Sequence, residues 1–482
     1  MILVAVLALP FAAAVLSLLF RNEKISKWIL FCTGAVELLL CSVLCRILYH
    51  TPGQEYLTGR YLGADNLSVW FLLVTNLLFF MVSLYGFSWF SADKAAIDNP
   101  HGKDSRTPVF LFAAYLLTFL GTMILVICSR NFGLLWVAVE ATTLASTPLI
   151  SYHRNGHSLE AMWKYLLICS VGIGFALLGT MFLSISSHFY EGGKIPDLSF
   201  EKLSYGVHTG WFKAAFIFLL AGYGTKMGLA PFHTWLPDAH SEAPALVSAL
   251  LSGSLLNCAF LGIIRVVNIA PPELQSFCGN LLLGFGLFSM LISTLFIIHQ
   301  TDFKRMLAYS SVEHMGILAI AWGMGAADAA RLHLAGHTLI KGMLFPLAGN
   351  ILIAGGTRNI HKVSGLFRQT PGTAVLWIIG LCAICGTPPS PLFASEYMLV
   401  RHAFEDGHYV IASVMLLVLF AVFAGMSAGF LRMVTGNGKD TAVLHPENCQ
   451  LARELNFVPV ISGTLAMVLG FICLYFLMKG VL

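Results

Sequence analysis

Polar residues in this chain mostly stand singly between long apolar runs, and few stretches alternate with a period of two. A helix that crosses a bilayer needs about 20 mostly apolar residues. Runs of that kind lie near 1–20, 28–49, 66–91, 108–128, 131–152, 161–186, 213–230, 245–268, 277–299, 305–325, 330–354, 373–402, 409–433 and 457–478. The short alternating segments of a membrane β-barrel are absent, so the spans are helices, which satisfy their own backbone groups in lipid. The expected fold is all-α, a polytopic membrane protein of about fourteen transmembrane helices.

Two spans are interrupted by proline. The seventh carries Lys226 just before Pro231, and the twelfth carries Pro388, Pro389 and Pro391 just before Glu396. Prolines at matching places suggest discontinuous helices of the kind found in transporter repeats. Glu160-x-x-x-Lys164 in the sixth span and His337-x-x-x-Lys341 in the eleventh also correspond. Spans 4–8 and 9–13 then make two five-helix repeats, and an odd number of helices per repeat makes them inverted. The chain divides into an N-terminal three-helix segment (1–107), a first repeat (108–270), a second repeat (271–435) and a loop with a C-terminal helix (436–482).

Composition narrows the class. Hydrophobic residues make up 57% of the 482 and charged residues 11%, against about 25% charged in soluble domains. Mean hydropathy is +0.79. So little charge does not cover a water-soluble protein of this length, which excludes a cytosolic enzyme and a secreted domain. The net charge of +4 contains no basic run that would track phosphates, so nucleic acid is not an expected partner. The eleven cysteines are scattered, and Cys382-x-x-Cys385 lies in an apolar run where cysteine serves as a small hydrophobe. The first apolar run lacks a basic start and a cleavage site and reads as a retained helix. With the N-terminus outside, inside loops hold fifteen lysines and arginines against nine outside, so both termini are expected outside.

The informative residues are ionisable groups inside apolar runs, each costing about 2.5–3.5 kcal/mol at a helix centre. Glu140, Lys226, Lys341 and Glu396 sit well inside their spans, on different helices, two acidic and two basic. His314, His333 and His337 add groups that titrate near neutral pH. Together these read as a proton relay, with a Glu–Lys pair of variable spacing as its switch. His333 reads instead as a satisfied packing histidine, Glu37 as a helix–helix hydrogen-bond partner, and Lys164 as a lysine reaching to the interface. Between the seventh and eighth spans, His233, Asp238, His240 and Glu242 fall within ten residues without lysine or arginine. Their spacing matches no closed zinc site. The segment reads as a helix-capping loop where protons enter.

At these residues the chain resembles a family: the antiporter-like subunits of respiratory complex I, of Mrp-type cation/proton antiporters and of group 4 membrane-bound hydrogenases. The matching motifs are the fifth-span Glu140, Lys226 followed by APFHTWLPDAHSEAP, DFKRMLAYSSVEHMG at the start of the tenth span, His337-x-x-x-Lys341, and GTPPSPLFASEYMLV with Glu396. Within the family it is most similar to the hydrogenase-4 component F branch. The resemblance implies a subunit of a prokaryotic inner membrane that moves protons or sodium, driven by other membrane and redox subunits. It implies Glu140 and Lys226 as a paired gate, Lys341 with His337 as the central relay and Glu396 as the terminal group. Many family members carry a lysine or histidine thirteen residues after the loop proline; here that place is Asn257, so His314 or water must serve the relay there. No cofactor is expected in this chain. Iron–sulfur clusters, and for a hydrogenase a nickel–iron centre, belong to partner subunits. A stand-alone antiporter or uptake protein, and a membrane scaffold with a degenerate relay, are the competing readings.

Overall fold

The computed structural model describes residues 2–50, 56–97, 106–190, 197–203, 206–435 and 446–479. The loop cations Lys103, Lys194 and Lys439, used above for orientation, lie outside the described residues. Apart from one short antiparallel pair, Tyr56–Thr58 with Leu62–Ala64, the described chain is helical. Twelve described helices are long and apolar enough to cross a membrane. The other two expected spans are helical but differ in kind. Phe303–Gly323 opens with Lys304 and Arg305 and carries Glu313 and His314 further in. The twelfth is split into Pro371–Ile384 and Pro391–Glu405.

Both proline breaks follow a glycine in the left-handed region. Helix Thr209–Met227 ends at Gly228 (φ 82°) and resumes through a 3-10 turn, Phe232–Thr234, into Trp235–Glu242. Helix Pro371–Ile384 ends before Gly386 (φ 63°), and Ser390 caps the resumed helix at Leu392 N. Glycine alone takes that φ without cost, and proline lacks the N–H that would continue the ladder. A third irregularity was not foreseen: helix Ala245–Leu250 passes through a π turn, Leu251–Leu255, into Leu256–Asn268.

The chain forms two compact units. The first comprises 1–83, 105–235 and 254–281, the second 84–104, 236–253 and 282–482. In the first, Gly172, Gly179 and Gly222 bring helices Gly156–Tyr190 and Thr209–Met227 into backbone contact, since a Cβ at Gly222 would meet Ala176. Such small-residue seams replace the hydrophobic drive that lipid does not supply. Arg265 is locked by paired hydrogen bonds to Asp65 (2.5 and 2.8 Å) and one to Ser68 (2.8 Å). In the second unit, Gly286 and Gly316 form a similar seam between Pro272–Ile298 and Phe303–Gly323.

Two sequence expectations need revision. Glu37 is fully buried, yet neither carboxylate oxygen has a hydrogen-bond partner. The nearby amide of Asn76 directs its donors to Cys41 Sγ and the Leu72 carbonyl instead. Lys164 pairs with Glu160 at 2.6 Å on a half-exposed helix face, so a local ion pair holds it.

Candidate functional site

In the first unit, Lys226 lies in the last turn of Thr209–Met227 and is fully buried. Its ammonium donates to Thr143 Oγ1 (2.8 Å) and to the Tyr165 hydroxyl (2.6 Å), and stands 4.6 Å from the Tyr165 ring centroid. The Ser146 hydroxyl is 2.6 Å from Tyr165 and also donates to the Thr142 carbonyl. Serine has one proton to give, so the chain runs from Lys226 to Tyr165 to Ser146 to backbone. Glu140 makes no ion pair with Lys226. Its Oε1 accepts from Ser170 (2.9 Å), although the carboxylate remains within electrostatic reach of the lysine. The two groups expected to pair are therefore each held by separate hydroxyls.

The proline break supports this arrangement. Trp235 Nε1 donates to the Thr225 carbonyl (2.8 Å), left near the end of the interrupted helix, and its ring lies 5.0 Å from Tyr165. One side chain both caps the break and backs the tyrosine that holds Lys226. His233 sits buried in the 3-10 turn, and Asn257 is buried two residues beyond the π turn.

The second unit repeats the theme. Lys341 is fully buried and donates to Ser310 Oγ (2.5 Å) and the Leu307 carbonyl (2.6 Å), with no carboxylate in direct contact. Glu313, 2% exposed on the same helix as Ser310, lies within electrostatic reach of Lys341 and Glu396. Around it stand His314, His333, His337 and His240, all buried. His314 Nδ1 is 3.1 Å from His333 Nε2, and the His314 and His337 ring centroids are 5.1 Å apart. His240 stacks on Phe345 at 5.0 Å and lies within electrostatic reach of Lys341 and His337.

Glu396 enters this cluster from the resumed helix Pro391–Glu405 and is 8% exposed. Gly386 in the break is required twice. Its φ is 63°, and a Cβ there would overlap Glu396 Oε2. Gly470 likewise leaves room for the Pro389 carbonyl. The break is therefore built around the carboxylate.

Of the four residues read as a helix-capping loop where protons enter, His233 lies in the 3-10 turn and the other three on helix Trp235–Glu242. Asp238 pairs with Arg305, and Glu242 with Arg358 at 2.6 Å. Lys304 Nζ donates to the Ser241 and Ala243 carbonyls, capping helix Trp235–Glu242. The acids of this segment serve a cation-laced cap supplied by other elements, while His240 turns inward to the lysine cluster.

The family model described as NADH:quinone oxidoreductase/Mrp antiporter, TM matches residues 129–423. The chain belongs to this family. It is an antiporter-like membrane subunit of the kind found across complex I, Mrp antiporters and hydrogenase-4. A "Hydrogenase-4 component F homolog" from Methylacidiphilum infernorum is 35% identical over 409 residues, 83% of each chain. A Na(+)/H(+) antiporter subunit from Alkalihalophilus pseudofirmus is 33% identical over 84% of this chain, which spans 52% of that protein. A chain of the archaeal membrane-bound sulfane sulfur reductase superposes with a TM-score of 0.83 at 20% identity, over 98% of this chain and 95% of that one.

Sequence reasoning missed Tyr165, Thr143, Ser310 and Glu313, although all stood in segments it quoted or bounded. Thr143 follows Glu140 by one helical turn, and Glu313 precedes His314. His333 is hydrogen-bonded on both ring nitrogens, as a packing histidine would be, but its partners are His314 and Ser395 within the cluster.

Proposed function

We propose that this chain moves protons across the inner membrane as a subunit of a redox complex, with one switching lysine in each unit. The observation that carries the reading is the shared geometry of Lys226 and Lys341. Each buried ammonium is held by neutral hydroxyl or carbonyl oxygens, with a carboxylate (Glu140 or Glu313) in electrostatic reach but out of contact. An unpaired buried charge is costly, so closing the pair holds the proton and opening it favours release. His337, His314 and Glu396 accept the proton in the second unit, and Asn257 marks a hydrated stretch in the first.

The fourteen-span count, with 108–270 and 271–435 as inverted five-helix repeats, belongs to this proposal. It is supported by the two glycine–proline breaks and by helices at the tenth and twelfth positions. Both termini lie outside, from the loop charges. Electron carriers reside in partner subunits.

Isolation of the tagged chain from its native membrane tests this. Redox subunits co-purify, and donor oxidation by the reconstituted complex moves protons without added sodium. A chain isolated alone that exchanges sodium for protons would support the antiporter reading favoured by the 33% identical relative.

A further inference from the structure

We infer that His314, His333 and Glu396 form a binding site for a divalent transition ion of the zinc type, and that its occupation arrests ion movement. One ligand atom from each lies within 4.8 Å of the others. The three come from three helices, Phe303–Gly323, Ala327–Gly355 and Pro391–Glu405, so they are held by the fold and not by a mobile loop. Ligands of a tetrahedral zinc ion sit about 2 Å from the metal and hence about 3.3 Å from each other. The Nδ1 of His314 and Nε2 of His333 already stand 3.1 Å apart.

The hydrogen bonds fix the protons. Ser395 donates its hydroxyl to the Leu392 carbonyl (2.8 Å), so its oxygen accepts from His333 Nδ1 (2.9 Å). His333 Nε2 then carries the lone pair, and His314 Nδ1–H donates to it. A ring whose far nitrogen is tied to an oxygen is the arrangement that orients a metal-ligating histidine. His314 Nε2 and Glu396 Oε1 are buried without a close hydrogen-bond partner, the Ile384 backbone lying near the His314 ring. When an ion arrives, the His314 proton moves from Nδ1 to Nε2 or leaves, freeing Nδ1 as the second nitrogen ligand. His337, both of whose ring nitrogens lack a partner, or a water completes the shell.

Two imidazoles and one carboxylate suit zinc or its neighbours and do not suit sodium, magnesium or calcium, which take oxygen ligands. The inhibitory consequence rests on the relay reading above; the binding does not. A bound ion removes the lone pairs of two histidines and the carboxylate at once.

The test uses the intact complex carrying a tag without histidine. Cobalt(II) titration gives a tetrahedral visible absorption band with one equivalent per complex, displaced by Zn2+ but not by excess Na+ or Mg2+. His333→Gln and Glu396→Gln each lose that equivalent, while His402→Gln, whose ring bonds the Met324 carbonyl and pairs with Asp406, keeps it. Equal cobalt stoichiometry in all four proteins overturns the site. Should the cluster variants fail to assemble, zinc-edge X-ray absorption of the wild type decides: scattering from two or three imidazoles supports the site, and none or one overturns it. With the site filled, translocation in vesicles falls at least tenfold. Unchanged translocation at full occupancy would overturn the place of this cluster in the relay while leaving the metal site standing.

Discussion

Lys226 and Glu140 lie within electrostatic reach without touching. The ammonium donates to Thr143 and Tyr165 at 2.8 and 2.6 Å, while the carboxylate takes its hydrogen bond from Ser170 at 2.9 Å. A direct ion pair would hold the proton on the lysine. Neutral hydroxyl partners make the hold adjustable, because side-chain movements can exchange them for a charged one.

Tyr165→Phe tests this layer. It removes the acceptor nearest Lys226, and Ser146 keeps its bond to the Thr142 carbonyl, so the structural loss is small. A hydrogen bond to a charged group is worth about 1.5–3 kcal/mol. Ion translocation per redox turnover should fall about tenfold with only a few degrees lost in Tm. Normal translocation with a large drop in Tm would make Tyr165 a packing residue.

Gly386→Ala is expected to damage the second unit twice, by its left-handed φ and by overlap with Glu396. A non-glycine residue in that region costs about 1–2 kcal/mol. The overlap vanishes when Glu396 is shortened, so Glu396→Ser should recover part of the lost thermal stability of Gly386→Ala. No recovery in the double variant would show that the carboxylate does not occupy the space beside Gly386.

Asp65 sets an acid limit. Burial alone would raise its carboxyl, but hydrogen bonds and charge from Arg265, with help from Ser68, outweigh that and hold it well below the usual carboxylate range. The folded value lies below the unfolded one, so this contribution is full above about pH 4 and is lost as pH falls through the folded value. Wild-type protein should therefore lose Tm steeply in acid. Asp65→Asn should be less stable at neutral pH, by about 3–5 kcal/mol for a stranded arginine, with a flatter acid limb. Parallel acid limbs in the two proteins would contradict the assignment.

The segment from His233 to Pro244 gives a cleaner separation of roles. Glu242 pairs with Arg358 at 2.6 Å, and Arg358 also donates to the Ser241 carbonyl. Glu242→Gln should lower Tm by a few degrees and leave ions per turnover unchanged. A selective loss of translocation would instead support the segment as the route by which protons enter.

The helices, the two breaks and the buried charges were legible because lipid forbids unpaired backbone and makes each intramembrane charge conspicuous. Lys226, Lys341 and Glu396 stood out for that reason. Tyr165, Thr143 and Ser310 did not, since hydroxyls are common in such helices and only the fold puts them against a lysine. Glu313 was visible as a charge but was overshadowed by His314 beside it. The π turn before Asn257 has no local signature, because its residues, LSGSL, suit an α-helix nearly as well. The cations that pair with Asp238 and Glu242 are 67 and 116 residues away along the chain, beyond the reach of any local pattern.

The two buried lysines, on this reading, carry the translocated proton. The most direct test is ions moved per electron pair in sealed vesicles holding the assembled complex, compared among wild type, Lys226→Met and Lys341→Met. Methionine fills the space and removes the charge, so assembly and electron transfer with an uncoupler should persist. At least a tenfold fall in ions per electron pair is expected for each variant. A wild-type ratio in either variant would contradict the role of that lysine as a proton carrier.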